Sequence, residues 1–335
     1  MKKTVFFFGA GASAAEGAPI ASSLLYEAFN KMPNNRKVNN VIKFIQRFYN
    51  TKVNGNSNMP NFEEILSPID ICIQKNQCLS SDYNLDYLRN LKGDLIYCIC
   101  AILDKKLRRV KGFHKEFIQS LYSLNDTDNW RKFSFISLNY DILLDNALLR
   151  LTEKENFVDV DYAIEFRNEG INWSPPRDRH VHLLKLHGSL NWIYCPTCNS
   201  VKITPYEKGV MEIFTDFHVC EYDDSQQEAL IIPPTWQKVY DNQYLVAIWL
   251  KAERELRKAE KVVFIGYSLP ESDVHIKYLL KKSLFRPDSE LPEIVVIDKG
   301  DNTKDSEEFK RYQRLFGEID YRPIGFEAYI NEQIL

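Results

Sequence analysis

Thr4-Val5-Phe6-Phe7-Phe8 is an unbroken run of apolar, aromatic and β-branched residues, and two glycines one residue apart, Gly9 and Gly11, follow it at once. A run of that kind suits a strand buried on both faces. A helical pattern begins after Pro19, with Ile20, Leu24, Leu25 and Phe29 spaced for one face. Strand, glycine turn and helix together constrain the fold strongly. The glycines let the backbone turn sharply and come close to a ligand, and the helix that follows offers free N–H groups and a dipole to an anion. Gly9, Gly11 and Ala14 also fit the looser G-x-G-x-x-G/A dinucleotide spacing. The other reading of the pair is a tight turn with no ligand.

Four further apolar runs repeat the strand pattern. They are Phe133–Leu138, His182–Leu186, Lys261–Ile265 and Glu293–Ile297. Helical patterns alternate with them, which predicts an α/β fold with a doubly wound, Rossmann-like parallel sheet. Between residues 33 and 129 helical periodicity dominates, with the polar segment Asn50–Asn61, which holds Gly55 and Pro60, read as a loop between the first two helices. Val41, Phe44, Ile45 and Phe48 form one face, Phe62, Ile65, Leu66 and Ile69 another, and Leu85, Leu88, Leu91, Leu95 and Ile99 a third. This predicts a helical subdomain inserted after the first strand–helix unit of a single domain spanning 1–335. Residues 191–234 carry short β-like runs, turn residues and three cysteines, and are expected to form a small irregular subdomain.

Ligands of such sheets bind outside the carboxyl ends of the strands. The distinctive residues fall there each time: Gly9-Ala10-Gly11-Ala12-Ser13, Asn139-Tyr140-Asp141, His187-Gly188, Gly266-Tyr267-Ser268 and Asp298-Lys299. A single pocket built from distant loops is the expectation. An ordinary dehydrogenase would place an acidic residue about 20 positions beyond the glycines, at the end of a second strand. Here that region is helix and polar linker.

As a set these motifs resemble the sirtuin family. Gly9-Ala10-Gly11-Ala12-Ser13 with Gly17-Ala18-Pro19 matches the opening Gly-Ala-Gly-x-Ser and Gly-x-Pro of sirtuins. Ser137-Leu138-Asn139-Tyr140-Asp141 matches Thr-Gln-Asn-x-Asp, His187-Gly188 the catalytic His-Gly, and Gly266-Tyr267-Ser268 the later Gly-x-Ser. The resemblance covers about residues 4–300. It implies that NAD is the substrate, cleaved at its nicotinamide–ribose bond. Asn139 would orient a water or the ribose, Asp141 would hold the carboxamide, and His187 would be the general base. Ser137 would lie with these groups, Ser268 would bind phosphate or ribose, and Asp298 with Lys299 would sit beside the adenosine ribose. A second reading makes Asn139 and Asp141 a cap on the following helix and His187 a buried, hydrogen-bonded imidazole.

Departures from the family matter too. After Pro19 the chain reads Ile20-Ala21-Ser22, where protein-deacylating sirtuins carry an acidic residue, Phe and Arg. The peptide-clamping Phe-Gly-Glu-x-Leu-Pro segment is replaced at the nearest position by Leu230-Ile231-Ile232-Pro233-Pro234. With no acyl group held ready, water becomes the expected acceptor, which makes the expected activity NAD hydrolysis. An NAD-dependent deacylase or ADP-ribosyltransferase, and a non-catalytic module sensing NAD or ADP-ribose, are the alternatives. Ser137-Leu138-Asn139-Tyr140-Asp141, Leu186-His187-Gly188-Ser189-Leu190-Asn191-Trp192 and Gly266–Pro270 with Asp273 resemble the bacterial anti-phage defence branch. That branch implies NAD depletion controlled by homo-oligomerisation or by a partner, a HerA-type ATPase or an Argonaute-like protein.

The chain holds seven cysteines, an odd number without secretory features, so reduced thiols in the cytoplasm are expected. Cys195-Pro196-Thr197-Cys198 has the spacing of half a zinc site. With Cys220, and His218 two residues before it, a structural Cys₃His site is one reading and a metal-free knuckle the other. A net charge of −3 gives no general basic footprint for nucleic acid. No apolar run reaches the 18 or more residues of a membrane span.

Overall fold

The computed structural model describes residues 2–20, 22–51, 59–123, 127–155, 159–168, 180–204, 219–232, 242–285, 290–300 and 306–332, without the side chains of 123–129 and 150–155. Its centre is a parallel sheet of seven strands. Along the chain these are β1 (Thr4–Phe8), β2 (Phe133–Ser137), β3 (Asp159–Asp161), β4 (His180–Lys185), β8 (Lys261–Ile265), β9 (Glu293–Ile297) and β10 (Asp320–Arg322). They lie in the order β10-β9-β8-β1-β2-β4-β3. A second, antiparallel sheet holds β5 (Gly188–Tyr194), β6 (Val201–Ile203) and β7 (Glu228–Ile231), with β5 in the middle.

All five strands expected from apolar runs are present, and the fold is the Rossmann-like α/β class anticipated. β1 and β2 are buried along their whole length. Phe8 lies opposite Ser137 on one side and Ile265 on the other, so three strands end level at their carboxyl ends. The chain proceeds from β1 towards β2 and β4, then returns to β8 on the other flank of β1. The topological switch therefore lies between β1 and β8, where ligand crevices form in open α/β sheets.

The first helix departs from the expectation. It does not wait for Pro19: α1 is Ala10–Glu16, with Gly9 extended as its N-cap. The alanine-rich AGASAAE run carries enough intrinsic propensity to form helix directly at the strand's end. Gly17, at φ +107°, closes it in the left-handed conformation. Chain direction then changes before α2 (Leu24–Lys31).

Three longer helices follow: α3 (Arg36–Phe48), α4 (Phe62–Gln74) and α5 (Leu85–Leu107). Asn35, Asn61 and Asn84 cap them, Asn61 forming a reciprocal capping box with Glu64. α2 to α5 bury a core of their own around Val41, Phe44, Ile65, Leu66, Leu91 and Leu95. α6 (Phe113–Ser123) packs instead on the sheet, through Phe117, Ile118 and Leu121. The sheet's other covering helices are α7 (Leu143–Glu155), α8 (Gln243–Arg257), α9 (Val274–Leu284), α10 (Glu307–Phe316) and α11 (Phe326–Asn331). Among the described residues no helix is long and apolar enough to cross a membrane.

Candidate functional site

The carboxyl ends of the central strands present the sequence motifs side by side. From β9 to β4 the order is Asp298-Lys299, Gly266-Tyr267-Ser268, Gly9 to Ser13, Ser137 to Asp141, and His187. At ordinary strand spacing this row spans about 19 Å.

At the switch between β1 and β8 the glycines are required by backbone packing. Gly9 N–H donates to Ile265 O at 3.0 Å and Gly11 N–H to Gly266 O at 2.7 Å. A Cβ on Gly9 or Gly11 would come within 2.6 or 2.8 Å of the Gly266–Tyr267 segment. Gly266, at φ +61°, would meet Ala12 N at 2.3 Å. Ala12 N–H turns back to Gly9 O at 3.1 Å. Three N–H groups of the supposed phosphate loop thus already have backbone partners, and the loop is locked to β8. Ala10 and Gly11 remain exposed towards solvent. Gly17 is exposed and Pro19 half-buried beyond α1.

Next to this lock, the β1 and β2 loops join through side chains. Asn139 Nδ2 donates to Gly9 O at 2.9 Å and to Ser13 Oγ at 2.8 Å. Ser13 Oγ donates to Asp141 Oδ2 at 2.5 Å. The second Asp141 oxygen accepts from Leu143 N–H at 3.2 Å, capping the start of α7. Ser137 Oγ accepts from Asn139 N–H at 3.1 Å. Both amide hydrogens of Asn139 are therefore engaged by acceptors, which orients the amide and presents Oδ1 as its acceptor. Asn139 is half-exposed, whereas Ser13 and Asp141 are buried.

His187 follows β4 and is buried, its Nδ1 3.2 Å from Leu138 O. A carbonyl can only accept, so Nδ1 carries the proton and, in the neutral ring, Nε2 carries the lone pair. The Tyr140 ring lies 6.2 Å away, and its hydroxyl donates to Ile232 O at 2.6 Å. Gly188, at φ +79°, allows β5 to leave at once: a Cβ there would stand 2.0 Å from Leu230 O.

Sequence reasoning missed the support beneath this loop. Lys185 Nζ is buried, donates to Asp141 O, and lies 2.9 Å from Asp145 Oδ2. Tyr162 hydroxyl donates to Asp145 Oδ1 at 3.0 Å. Burial, and then the Asp145 charge, push the Tyr162 phenol well above its usual range. The signal was present: Lys185 interrupts an otherwise apolar strand and Asp145 an apolar helix face, and buried charges require partners.

Ser268 and Lys299 sit on the same edge but are exposed. Asp298 is half-buried, and its carboxyl is raised by burial and then by the Glu308 charge. The Tyr267 hydroxyl donates to Asp273 Oδ2 at 2.9 Å, and Tyr267 O accepts from the Tyr312 hydroxyl at 2.6 Å, which fixes the β8 loop.

The cysteine cluster lies apart, off the end of β5. Cys195, Cys198 and Cys220 converge with Asp223, their ligand atoms all within 4.8 Å of one another. Cys198 and Cys220 sulfurs are 3.5 Å apart, and Cys195 Sγ is 3.4 Å from Asp223 Oδ2. His218 lies outside the described residues. Hydrogen bonding from Ser225 N–H holds the Asp223 carboxyl down to about 2, so it is ionised. Three thiols and a carboxylate are a donor set that fits a structural zinc ion.

The SIR2-like domain family matches residues 134–316, more than half of the chain. No match is found among curated proteins. Similar solved structures include a Sir2 homolog–NAD complex, 14% identical, covering 99% of this chain and 88% of that one, with a TM-score of 0.49. A mutant Sir2 homologue in complex with 2′-O-acetyl ADP ribose is 14% identical, with coverage of 99% and 90% and a TM-score of 0.49. A structure from work on the mechanism and regulation of Sir2 enzymes is 11% identical, with coverage of 99% and 90% and a TM-score of 0.48.

Proposed function

Because this chain belongs to the SIR2-like domain family, we propose that it hydrolyses NAD at the nicotinamide–ribose bond, releasing nicotinamide and ADP-ribose. The observation that carries this reading is the meeting of Asn139, Ser13 and Asp141 beside His187 at the carboxyl ends of β1, β2 and β4. NAD would lie along the row of loops, with adenosine towards Asp298 and Lys299 and its diphosphate across Gly11 and Ser268. The nicotinamide ribose would lie by Asn139 and His187.

Chemically, the C–N glycosidic bond breaks with its electron pair leaving on neutral nicotinamide, and the sugar becomes an oxocarbenium-like cation. Asn139 Oδ1 accepts a hydrogen from the attacking water, and His187 Nε2 takes the proton as the C–O bond forms. Asp141 has both oxygens engaged. Its part is to hold Ser13 and Asn139 in place, and it meets the carboxamide by exchanging one of those partners. Water is the acceptor because the acidic-Phe-Arg sequence of the deacylases is absent after Pro19. The same reading places the protein in anti-phage defence, depleting NAD when a homo-oligomer forms or a HerA-type ATPase or Argonaute-like partner signals. A zinc ion held by Cys195, Cys198, Cys220 and Asp223 would only brace the small β-subdomain.

The test is incubation of the purified chain with NAD, alone and with its genomic-neighbour protein, followed by chromatography. Nicotinamide with ADP-ribose is expected. Product that appears only with an acylated peptide, as acyl-ADP-ribose, would make the protein a deacylase. Intact NAD under every condition would end the enzymatic reading.

A further inference from the structure

At the amino end of β4, across the sheet from His187, three side chains meet that the proposed reaction does not use. β3 and β4 pair in register, with Asp161 beside His182 and Asp159 beside His180. Residues two apart on a strand share a face, so His180 and His182 project together. Their ring centroids are 4.8 Å apart. One ligand atom from each of Asp161, His180 and His182 lies within 4.8 Å of the others.

Asp161 Oδ2 and His182 Nδ1 lie 3.0 Å apart. This is not an aligned hydrogen bond, for His182 Nδ1 is a buried atom with no hydrogen-bond partner. Metal–nitrogen and metal–oxygen bonds of about 2.1 Å put two ligands of one ion about 3 Å apart. The surroundings favour the same arrangement. Asp161 Oδ1 accepts from Ala163 N–H at 2.7 Å, which turns Oδ2 towards the histidines. His182 Nε2 faces Glu255 Oε1 at 3.6 Å, and Glu255 is itself held by Lys3 and Ser134, each at 2.9 Å. A carboxylate behind the outer nitrogen is the usual support of a metal-bound imidazole.

We propose that Asp161, His180 and His182 bind a divalent transition metal of the zinc class, with water completing its coordination, and that the ion fastens the edge strand β3 to β4. Two imidazoles and one carboxylate suit zinc, cobalt or nickel; magnesium and calcium require oxygen ligands. β3 has only three residues and forms the outer edge of the sheet, where such a fastening has most effect.

Cobalt(II) distinguishes this site from the cysteine cluster, because only thiolate ligation gives a near-ultraviolet charge-transfer band. The full chain, reduced and stripped of metal, is titrated with cobalt, and both bound metal and the spectrum are read. One equivalent without the thiolate band is expected. His180→Ala should weaken that equivalent by at least about tenfold, and should leave any thiolate signal unchanged. Cys198→Ser should do the reverse. Asp161→Asn, nearly isosteric, gives the same reading should His180→Ala fail to fold. Zinc should also raise the melting temperature of the wild type more than that of Asp161→Asn. Cobalt bound solely through thiolates, or wild-type affinity in both His180→Ala and Asp161→Asn, would overturn the proposal.

Discussion

Asn139 and His187 differ in how closely they are tied to the fold, and their variants should differ accordingly. Asn139 bridges Gly9 O and Ser13 Oγ but is half-exposed. Asn139→Ala removes two hydrogen bonds, each worth about 1 kcal/mol, so the protein should remain folded while NAD turnover falls at least ~100-fold. His187→Ala should abolish turnover similarly, whereas His187→Gln, able to donate to Leu138 O, should recover stability without recovering activity. Undiminished NAD cleavage in both alanine variants would remove these residues from the mechanism. Lys185 is the structural contrast. It is 1% exposed and pairs with Asp145, which is 0% exposed. Lys185→Met leaves Asp145 buried with Tyr162 as its remaining partner among the described residues, and should cost about 3–5 kcal/mol, read as a lowered denaturant midpoint. Wild-type stability in Lys185→Met would show that Asp145 is not held as a buried charge. The sequence made Asn139 and His187 visible because motif and strand end coincide. Asp223 was not visible, since nothing in a Cys-x-x-Cys pattern indicates which later side chain folds back to complete it.

For the elements, glycine geometry sets the shape of the crevice. Gly188→Ala should be more damaging than loss of most surface side chains, because it combines φ +79° with a Cβ 2.0 Å from Leu230 O. Either the β5–β7 pairing opens or His187 moves. The expected result is a melting temperature lowered by several degrees, corresponding to at least about 1–3 kcal/mol of strain, together with lost turnover. Unchanged stability in Gly188→Ala would contradict the close approach of β5 and β7. Gly17→Ala provides the comparison: its φ is +107° but nothing lies within 4 Å of a Cβ, so strain alone should appear. The strands legible from sequence were those buried on both faces, such as β1, β8 and β9, where an unbroken apolar run admits little else. β3 and β10 are three-residue strands of intermediate or exposed residues at the sheet's two edges. Their pairing depends on a neighbouring strand rather than on their own pattern, so they were missed. α1 was misplaced for a different reason. Its burial is confined to Ala12, Ser13 and Glu16, too few for an amphipathic stripe. Gly9 and Gly11 were recognised, but their contact with Gly266 could not be, because it joins loops more than 250 residues apart.

Across the whole molecule, two buried carboxylates connect parts of the chain that are far apart. Glu16, at the end of α1, accepts from the N–H groups of Lys111, Gly112 and His114, at 2.7, 2.9 and 3.0 Å, and so holds the entry to α6. Glu255, on α8, meets Lys3 and Ser134 from the amino ends of β1 and β2. Burial alone would raise both carboxyls. At Glu16 the hydrogen bonds from His114 and Gly112 outweigh it, and at Glu255 those from Lys3 and Ser134 together with the nearby positive charge, leaving each at about 2 instead of 4.5. A carboxyl depressed in the folded state contributes stability that is fully present above its unfolded pKa and is lost as pH falls through the folded value. The window is therefore from about 4.5 down to about 2. Urea midpoints measured between pH 7 and pH 2 should stay nearly level to about pH 5 and then fall steeply. Glu16→Gln with Glu255→Gln should be less stable than the wild type at pH 7, because each amide retains acceptor capacity but loses charge, and its acid limb should be shallower. A doubly substituted protein that kept the full acid slope would show that other groups take up those protons, and that these two carboxylates do not hold the sheet's opposite ends to its helices.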